Sequence, residues 1–81
     1  MEKKFKTLNY TIILEPDEGG GYVVRIPTLN IATQGETEQE AIFMAKDAIE
    51  GYIACLIDNG EVVPLELSPV LMETVQVAVP V

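Results

Sequence analysis

The sequence predicts one small α+β domain, in which a mostly antiparallel sheet carries a single helix on one face. Three observations predict this fold class. An alternating apolar segment leads into a glycine-rich turn, one long amphipathic helix follows, and the C-terminal end is rich in valine at alternate positions. The chain has 81 residues, which is enough for one domain with a small core. We therefore expect a single domain of modest stability.

The N-terminal half has the pattern of a β-hairpin followed by a third strand. The first strand is expected at about Phe5–Glu15, where apolar and polar side chains alternate. The second strand is Tyr22–Ile26, and the proline after it breaks the pairing because it has no backbone donor. Ile31–Gln34 is predicted as a short edge strand. The glycines between the first two strands do not indicate a phosphate-binding loop, since Asp17 and Glu18 would repel phosphate and no helix begins there.

A capping box predicts where the helix begins. Thr37 is placed to accept a hydrogen bond from the amide of Glu40, and the Glu40 side chain is placed to accept one from the amide of Thr37. Glutamates in the first turn also suit the positive end of the helix dipole. The helix is expected from about Glu38 to Asn59 and ends at Gly60, which is a glycine C-cap.

One stripe of the helix is predicted to lie on the sheet. Its members recur at helical spacing: Ala41, Ile42, Ala45, Ala48, Ile49, Tyr52, Ile53 and Leu56. The apolar face of the first two strands completes the expected core. The residues expected to be buried within one chain are Leu8, Tyr10, Ile12, Val24, Ile26, Ala45, Ile49, Tyr52 and Leu56.

The opposite side of the helix is not uniformly polar. Phe43, Ala54 and Ile57 lie there together with the acids Asp47 and Glu50, because the helix turns by about 100° per residue. Two explanations remain open at this point: the patch contacts another chain, or the C-terminal segment of the same chain covers it. The first explanation makes these five residues the predicted partner-binding site.

The C-terminal part is predicted to contain a loop and a final strand. Prolines at positions 64 and 69 make the stretch Leu65–Met72 a loop or a poor strand. Valines alternate with other residues over Glu73–Val79, which predicts the final strand. Because the helix crosses over between strands, this final strand is expected to lie parallel to the first one.

Composition excludes several classes of function. The net charge is −8, from 13 acidic and 5 basic residues, which argues against nucleic acid or an anionic membrane as a direct partner and favours a basic protein. The chain has one cysteine and no histidine. An internal disulfide, zinc sites of ordinary type and nucleophilic pairs with histidine are therefore excluded, and no cofactor or metal is expected. The first residues do not form a signal peptide and no apolar stretch is long enough for a membrane span, so a cytoplasmic protein is expected.

The order and spacing of several short segments resemble the N-terminal domain of HicB-like antitoxins. The match extends over roughly residues 7–64, and any single segment is weak while the ordered series is fairly specific. The segments that carry it are Tyr10–Pro16, Gly20–Val24, Ile26–Leu29, Thr33–Thr37, Glu40–Ala41, Ala45–Glu50 and Gly60–Pro64.

The resemblance implies a partial ribonuclease-H-like fold with the order β-β-β-α-β. It also implies that the protein neutralises a small HicA-type toxin, a basic protein that cleaves RNA. Longer members of the family add a C-terminal DNA-binding domain, and we expect residues 1–81 to form a single HicB-like domain without one.

Two functional hypotheses follow, and a third is disfavoured. The first is an antitoxin that binds and blocks an RNA-cleaving partner. The second is a solitary homo-oligomeric scaffold or regulatory protein without a toxin partner. Catalysis is disfavoured, because a nuclease of this topology needs several carboxylates around divalent metals and the middle of the first strand offers only Asn9. Open sheet edges and an apolar surplus predict at least a homodimer.

Overall fold

The computed structural model describes residues 6–80 and has the predicted α+β fold. The elements are β1 (Ile13–Pro16), β2 (Tyr22–Ile26), β3 (Ile31–Gly35) and α1 (Glu38–Asp58). The three strands form one antiparallel sheet in the order β1-β2-β3, so β3 is an edge strand as predicted. The helix packs against β2 and β3. This architecture leaves one side of the helix facing away from the sheet.

The hairpin between β1 and β2 depends on glycine at a close approach. Pro16 pairs with Tyr22, and the loop closes with a hydrogen bond of 3.0 Å from the amide of Asp17 to the carbonyl of Gly21. Gly21 has a φ of +74°, and a Cβ there would lie 2.6 Å from the carbonyl oxygen of Gly35. A side chain at this position would therefore be strained and would also collide with the end of β3.

The two ends of α1 follow local signals in the sequence. The Thr37 hydroxyl accepts a hydrogen bond of 3.0 Å from the amide of Glu40, as predicted. The other half of the capping box differs, because the Glu40 carboxylate accepts at 3.3 Å from the amide of Glu36 and not from that of Thr37. At the C-terminal end Gly60 has a φ of +68°, and the bonds Gly60 N to Ile57 O and Glu61 N to Leu56 O form a Schellman motif.

The core is small and lies between the sheet and the N-terminal half of α1. Ala45 is buried as predicted, but Tyr52 is 37% exposed and Leu56 is only half-buried, so the predicted core was wrong at Tyr52. The reason is length, because a helix of 21 residues spans about 31 Å, whereas strands of four or five residues span about 13–17 Å. The last turns of α1 therefore extend beyond the sheet. The buried residues are Val24, Ile26, Leu29, Ala41 and Ala45, with half-buried Tyr10, Ile12 and Ile49 packed around them, and Leu8 is half-buried without belonging to this cluster.

Two strand predictions differ from the structure. The first strand begins at Ile13, and the predicted start at Phe5 lies outside the described residues. Residues 6–12 pair with no strand in the described chain, because β2 ends at Ile26 and a proline follows where the pairing would continue. Residues 61–80 contain no strand, so the predicted final strand at Glu73–Val79 and its parallel pairing with the first strand are absent from the single chain.

The C-terminal segment makes the molecule long. Its dimensions are 66 × 28 × 20 Å, and its radius of gyration is 16.2 Å. A compact chain of this length would have a radius of gyration of about 12 Å. The difference arises because residues 71–80 are all exposed and lie away from the body formed by the sheet and helix.

Candidate protein-binding site

The outer face of α1 carries the five residues that the sequence predicts as a partner-binding site. Phe43, Asp47, Glu50, Ala54 and Ile57 recur at intervals of three or four residues, so they share one side of the helix. All five are exposed, Phe43 by 67% and Ile57 by 62%. The C-terminal segment of the same chain does not cover them. We call these five residues the outer stripe.

Acidic side chains outnumber basic ones along the whole of α1. The helix contains five acids and a single base, Lys46. Its last turn carries Asp58 and no basic residue, although positive charge is what normally stabilises the negative end of a helix dipole. A cation supplied by another molecule would therefore be stabilised near this end.

An open apolar groove lies between residues 6–12 and the side of α1. It has a volume of about 860 Å³. Glu50, Ala54 and Ile57 of the outer stripe also line the groove, whereas Phe43 and Asp47 lie outside it. The groove therefore adjoins the outer stripe along its C-terminal half. Its apolar walls come from Leu8, Tyr10 and Ile12 on one side and from Ile42, Ala45, Ile49 and Ile53 on the other.

Glu66 fastens the C-terminal segment to the N-terminal part of the chain. Its carboxylate accepts hydrogen bonds from the Thr11 amide at 2.8 Å, the Thr11 hydroxyl at 2.6 Å and the Thr28 hydroxyl at 2.8 Å. The Tyr10 hydroxyl donates to the carbonyl of Pro64 at 2.6 Å. Hence the chain is held at residues 64–66 before its last residues leave the body.

These contacts shift two pKa values. The hydrogen bonds from the Thr11 side chain and backbone lower the pKa of Glu66 below its usual range, against the opposing effect of its desolvation. Burial raises the pKa of Tyr10, and the negative charge of Glu66 adds to that effect. Both shifts indicate that Glu66 is ionised and Tyr10 is neutral at neutral pH.

Sequence reasoning missed the role of Glu66. The only local signal is a single acid between two leucines, Leu65 and Leu67, in a stretch predicted as a loop. Its partners Thr11 and Thr28 lie 55 and 38 residues away, so no pattern of neighbouring residues reveals them. The contact depends on the fold bringing three separate segments together.

Within residues 6–80, no group of three or more His, Cys, Asp and Glu side chains lies close enough to hold a metal ion. Cys55 is exposed and has no disulfide partner among the described residues. The single helix of the described chain is not long and apolar enough to cross a membrane.

Comparison with known proteins gives relatives of two kinds. A UPF0150 protein of Thermoplasma acidophilum is 43% identical over 58 residues, which cover 70% of this chain and 84% of the relative. A UPF0150 protein of Synechocystis sp. is 44% identical over 59 residues, covering 72% of this chain and 75% of the relative. Antitoxin HicB 1 of Photorhabdus laumondii is 41% identical over 61 residues, covering 74% of this chain but 39% of that longer protein.

No solved structure matches the chain significantly. The profile of one protein family, described as HicB_like antitoxin of bacterial toxin-antitoxin system, matches residues 10–78. The matched range includes all three strands, the helix with its outer stripe, and most of the C-terminal segment. The chain therefore belongs to the HicB-like antitoxin family.

Proposed function

We propose that this protein is an antitoxin that uses the outer stripe of α1 to bind and neutralise a small, basic, RNA-cleaving toxin of the HicA type. Membership of an antitoxin family implies a toxin partner. The observation that carries the proposal is the exposure of Phe43 and Ile57 beside the carboxylates Asp47 and Glu50. Apolar anchors supply affinity in such interfaces, while surrounding charges steer the encounter.

Charge explains how binding would also block the toxin. A protein that cleaves RNA binds phosphates through Lys and Arg side chains. The carboxylates of α1 are suited to pair with the same cations, and the base-free last turn at Asp58 adds negative potential there. The net charge of −8 would attract such a toxin over a distance of roughly 10 Å at moderate salt. The antitoxin would then occupy the surface that RNA requires.

The proposal includes several finer assignments. The order β-β-β-α supports a partial ribonuclease-H-like arrangement of the kind that the family resemblance implies. We assign the protein to the cytoplasm, where an RNA-cleaving toxin acts, and treat residues 1–81 as one domain. Its role is inhibition by binding, and we assign it no catalysis of its own. We further propose that it self-associates through surfaces left open in the single chain.

The test begins with the reading frame next to the gene. A short basic protein encoded there should arrest growth when expressed alone, and co-expression of this chain should restore growth. The purified pair should form a complex, and the toxin should cleave RNA only in the absence of the antitoxin. A neighbouring basic protein that neither binds this chain nor is inhibited by it would contradict the proposal.

A second candidate function is a solitary homo-oligomeric scaffold without a toxin. The observation that favours it is the open apolar groove of about 860 Å³ together with the exposed C-terminal segment, since both are features that a second copy can cover. A stable oligomer without any inhibitory effect on a neighbouring protein would favour this candidate over the first.

A further inference from the structure

Two parts of the chain have strand-like sequence but no strand partner. Residues 6–12 pair with no strand of the described chain, and residues 71–80 are exposed throughout. Extended backbone of this kind presents donors and acceptors that readily pair with another strand. Each of the two segments therefore lacks a strand partner, and each could serve as the partner of the other.

We propose that two copies of this chain exchange their C-terminal segments, so that residues 73–79 of each copy enter the groove of the other and pair with residues 6–12. This inference deepens the self-association proposed above and requires no toxin. The exchanged segment would cover the groove side of Glu50, Ala54 and Ile57 and would leave Phe43 and Asp47 of the outer stripe open. It is β-strand addition, in which main-chain pairing supplies affinity and alternate side chains fill a pocket.

The side chains of the segment fit the groove. Val75, Val77 and Val79 alternate along one face and are 68–78% exposed in the single chain. In the groove they would contact Leu8, Tyr10 and Ile12 on one wall and the isoleucines of α1 on the other. Valine is well suited to such a half-buried strand because of its branched side chain.

The length and the charge of the C-terminal segment also suit pairing with residues 6–12. Residues 73–79 and residues 6–12 are equal in number, and each stretch spans about 23 Å when extended. Glu73 is the only charged residue after position 66. It would enter next to a groove whose lining includes Lys6 and Lys46. The exchange therefore buries mainly apolar side chains, and the charged residues that line the groove, Lys6, Lys46 and Glu50, are of both signs.

The contacts of Glu66 direct the segment away from its own groove. Thr11 alternates with the groove residues Tyr10 and Ile12 and does not line the groove, so its side chain points to the opposite face of the extended segment, whereas Asn9 lines both the groove and the cleft on that face. Residues 66–70 lie in a small cleft with Asn9 and Thr11, on that opposite face. A segment that leaves from there can reach a second copy without crossing back over its own strand.

The exposed area of the single chain is large enough for such an exchange. Its accessible surface is 7126 Å². A compact monomer of 8.9 kDa would expose about 4,800 Å². The excess of roughly 2,300 Å² is greater than the ~800 Å² that each partner of a stable interface usually buries.

The first experiment measures mass by light scattering, with no toxin present. We expect twice 8.9 kDa at micromolar concentration for the unchanged chain and for Gln76→Asp, whose charge points away from the valine face. Val77→Asp places the same charge inside the groove and should shift the protein to monomer. Circular dichroism should show an intact helix in both variants, because Val77 lies outside the body.

The second experiment identifies which copy supplies the segment. In a Cys55→Ser background, the single variants Leu8→Cys and Val77→Cys are mixed, refolded together and treated with a short bismaleimide. We expect a covalent dimer that contains one of each variant, and no such product from Gln76→Cys mixed with Leu8→Cys.

Every other result overturns the exchange. When Leu8→Cys and Val77→Cys are combined in one Cys55→Ser chain, crosslinking within that chain, without a product in the mixture of single variants, would assign the groove to the chain's own segment. A dimer that persists in Val77→Asp would place association elsewhere, such as the edge of β3, and would leave the proposed self-association standing. A monomeric mass for the unchanged chain would contradict both the exchange and the proposed self-association. A groove that is protected only after a toxin is added would belong to the toxin, and neither experiment depends on antitoxin activity.

Discussion

Glu66 shows how one residue links parts of the chain that are far apart in sequence. Three hydrogen bonds from Thr11 and Thr28 meet at its carboxylate, and they connect the C-terminal segment to the residues before β1 and to the turn after β2. The ionised form makes these bonds best, because a protonated carboxyl loses acceptor capacity. Its effect on stability must therefore depend on pH.

The first prediction concerns that dependence. The pKa of Glu66 is lowered in the folded state, so its contribution is fully present above the ordinary pKa of a glutamate. That contribution is lost as the pH falls through the lower folded value. Glu66→Gln should remove this part of the acid dependence, measured as the unfolding midpoint in urea between neutral and acid pH. Thr28→Val, which removes one bond of three, should keep a weaker dependence, and identical profiles for Glu66→Gln and the unchanged protein would contradict the account.

The second prediction concerns the core. Ile26 is fully buried between the sheet and α1, whereas Ile49 is half-buried at the rim of the core. Ile26→Ala should reduce the free energy of unfolding by about 2–5 kcal/mol, a large part of the total for so small a domain. Ile49→Ala should cost less, because less of its side chain leaves water on folding. Denaturant unfolding of both variants checks the order, and a larger loss for Ile49→Ala would be inconsistent with the described core.

At the scale of elements, the sequence predicted the features that depend on neighbouring residues and did not predict those that depend on contacts between distant segments. The alternation in Tyr22–Ile26 and the capping of α1 by Thr37 and Gly60 depend on residues next to each other in the chain, so the sequence was sufficient to place them. A strand at Glu73–Val79 was not formed, because a strand needs pairing with a segment distant in sequence, and the exposed residues 71–80 pair with neither edge of the sheet. The Glu66 contacts were missed for the same reason.

The third prediction concerns the junction between β3 and α1. Gly35 lies so close to the backbone of Ala41 that a Cβ would collide with it, whereas Gly51 in the middle of α1 has no atom near the equivalent position. Gly35→Ala should destabilise the domain by about 1–3 kcal/mol through overpacking. Gly51→Ala should stabilise it by about 0.5–1 kcal/mol, since alanine favours a helix. Thermal melts of the two variants should move in opposite directions, and a shift of the same sign would argue against this packing.

At the scale of the whole molecule, the single chain has more open surface than a body of its size needs. The sheet and the N-terminal half of α1 hold the buried core, while the outer stripe, the groove and the last residues all face solvent. The sequence predicted the outer stripe because helical spacing alone defines it. It did not predict the groove. The groove depends on how far α1 extends past the point where β1 and β2 stop pairing, and no local pattern shows where that pairing stops.

The fourth prediction concerns long-range charge. Asp47 lies on the outer stripe of a molecule with a net charge of −8, so under the proposed function it would contribute to attraction of a basic toxin. Asp47→Lys should mainly slow association and reduce its dependence on salt, measured by stopped-flow mixing at several ionic strengths. Glu18→Lys makes the same charge change on the hairpin turn and should have a smaller effect. Equal effects for the two variants would mean that net charge alone acts, without a defined face.

The most direct test of the account is the affinity of the toxin for a chain that lacks the Phe43 side chain. Phe43 is 67% exposed and does not line the groove used in the proposed exchange, so Phe43→Ala should leave folding and self-association intact. Isothermal titration with the neighbouring basic protein should show affinity reduced by about tenfold, which corresponds to about 1.4 kcal/mol. Val62→Ala, which truncates an even more exposed apolar residue beyond the end of α1, should change it by less than about twofold. Unchanged affinity for Phe43→Ala would contradict the claim that the outer stripe binds the toxin.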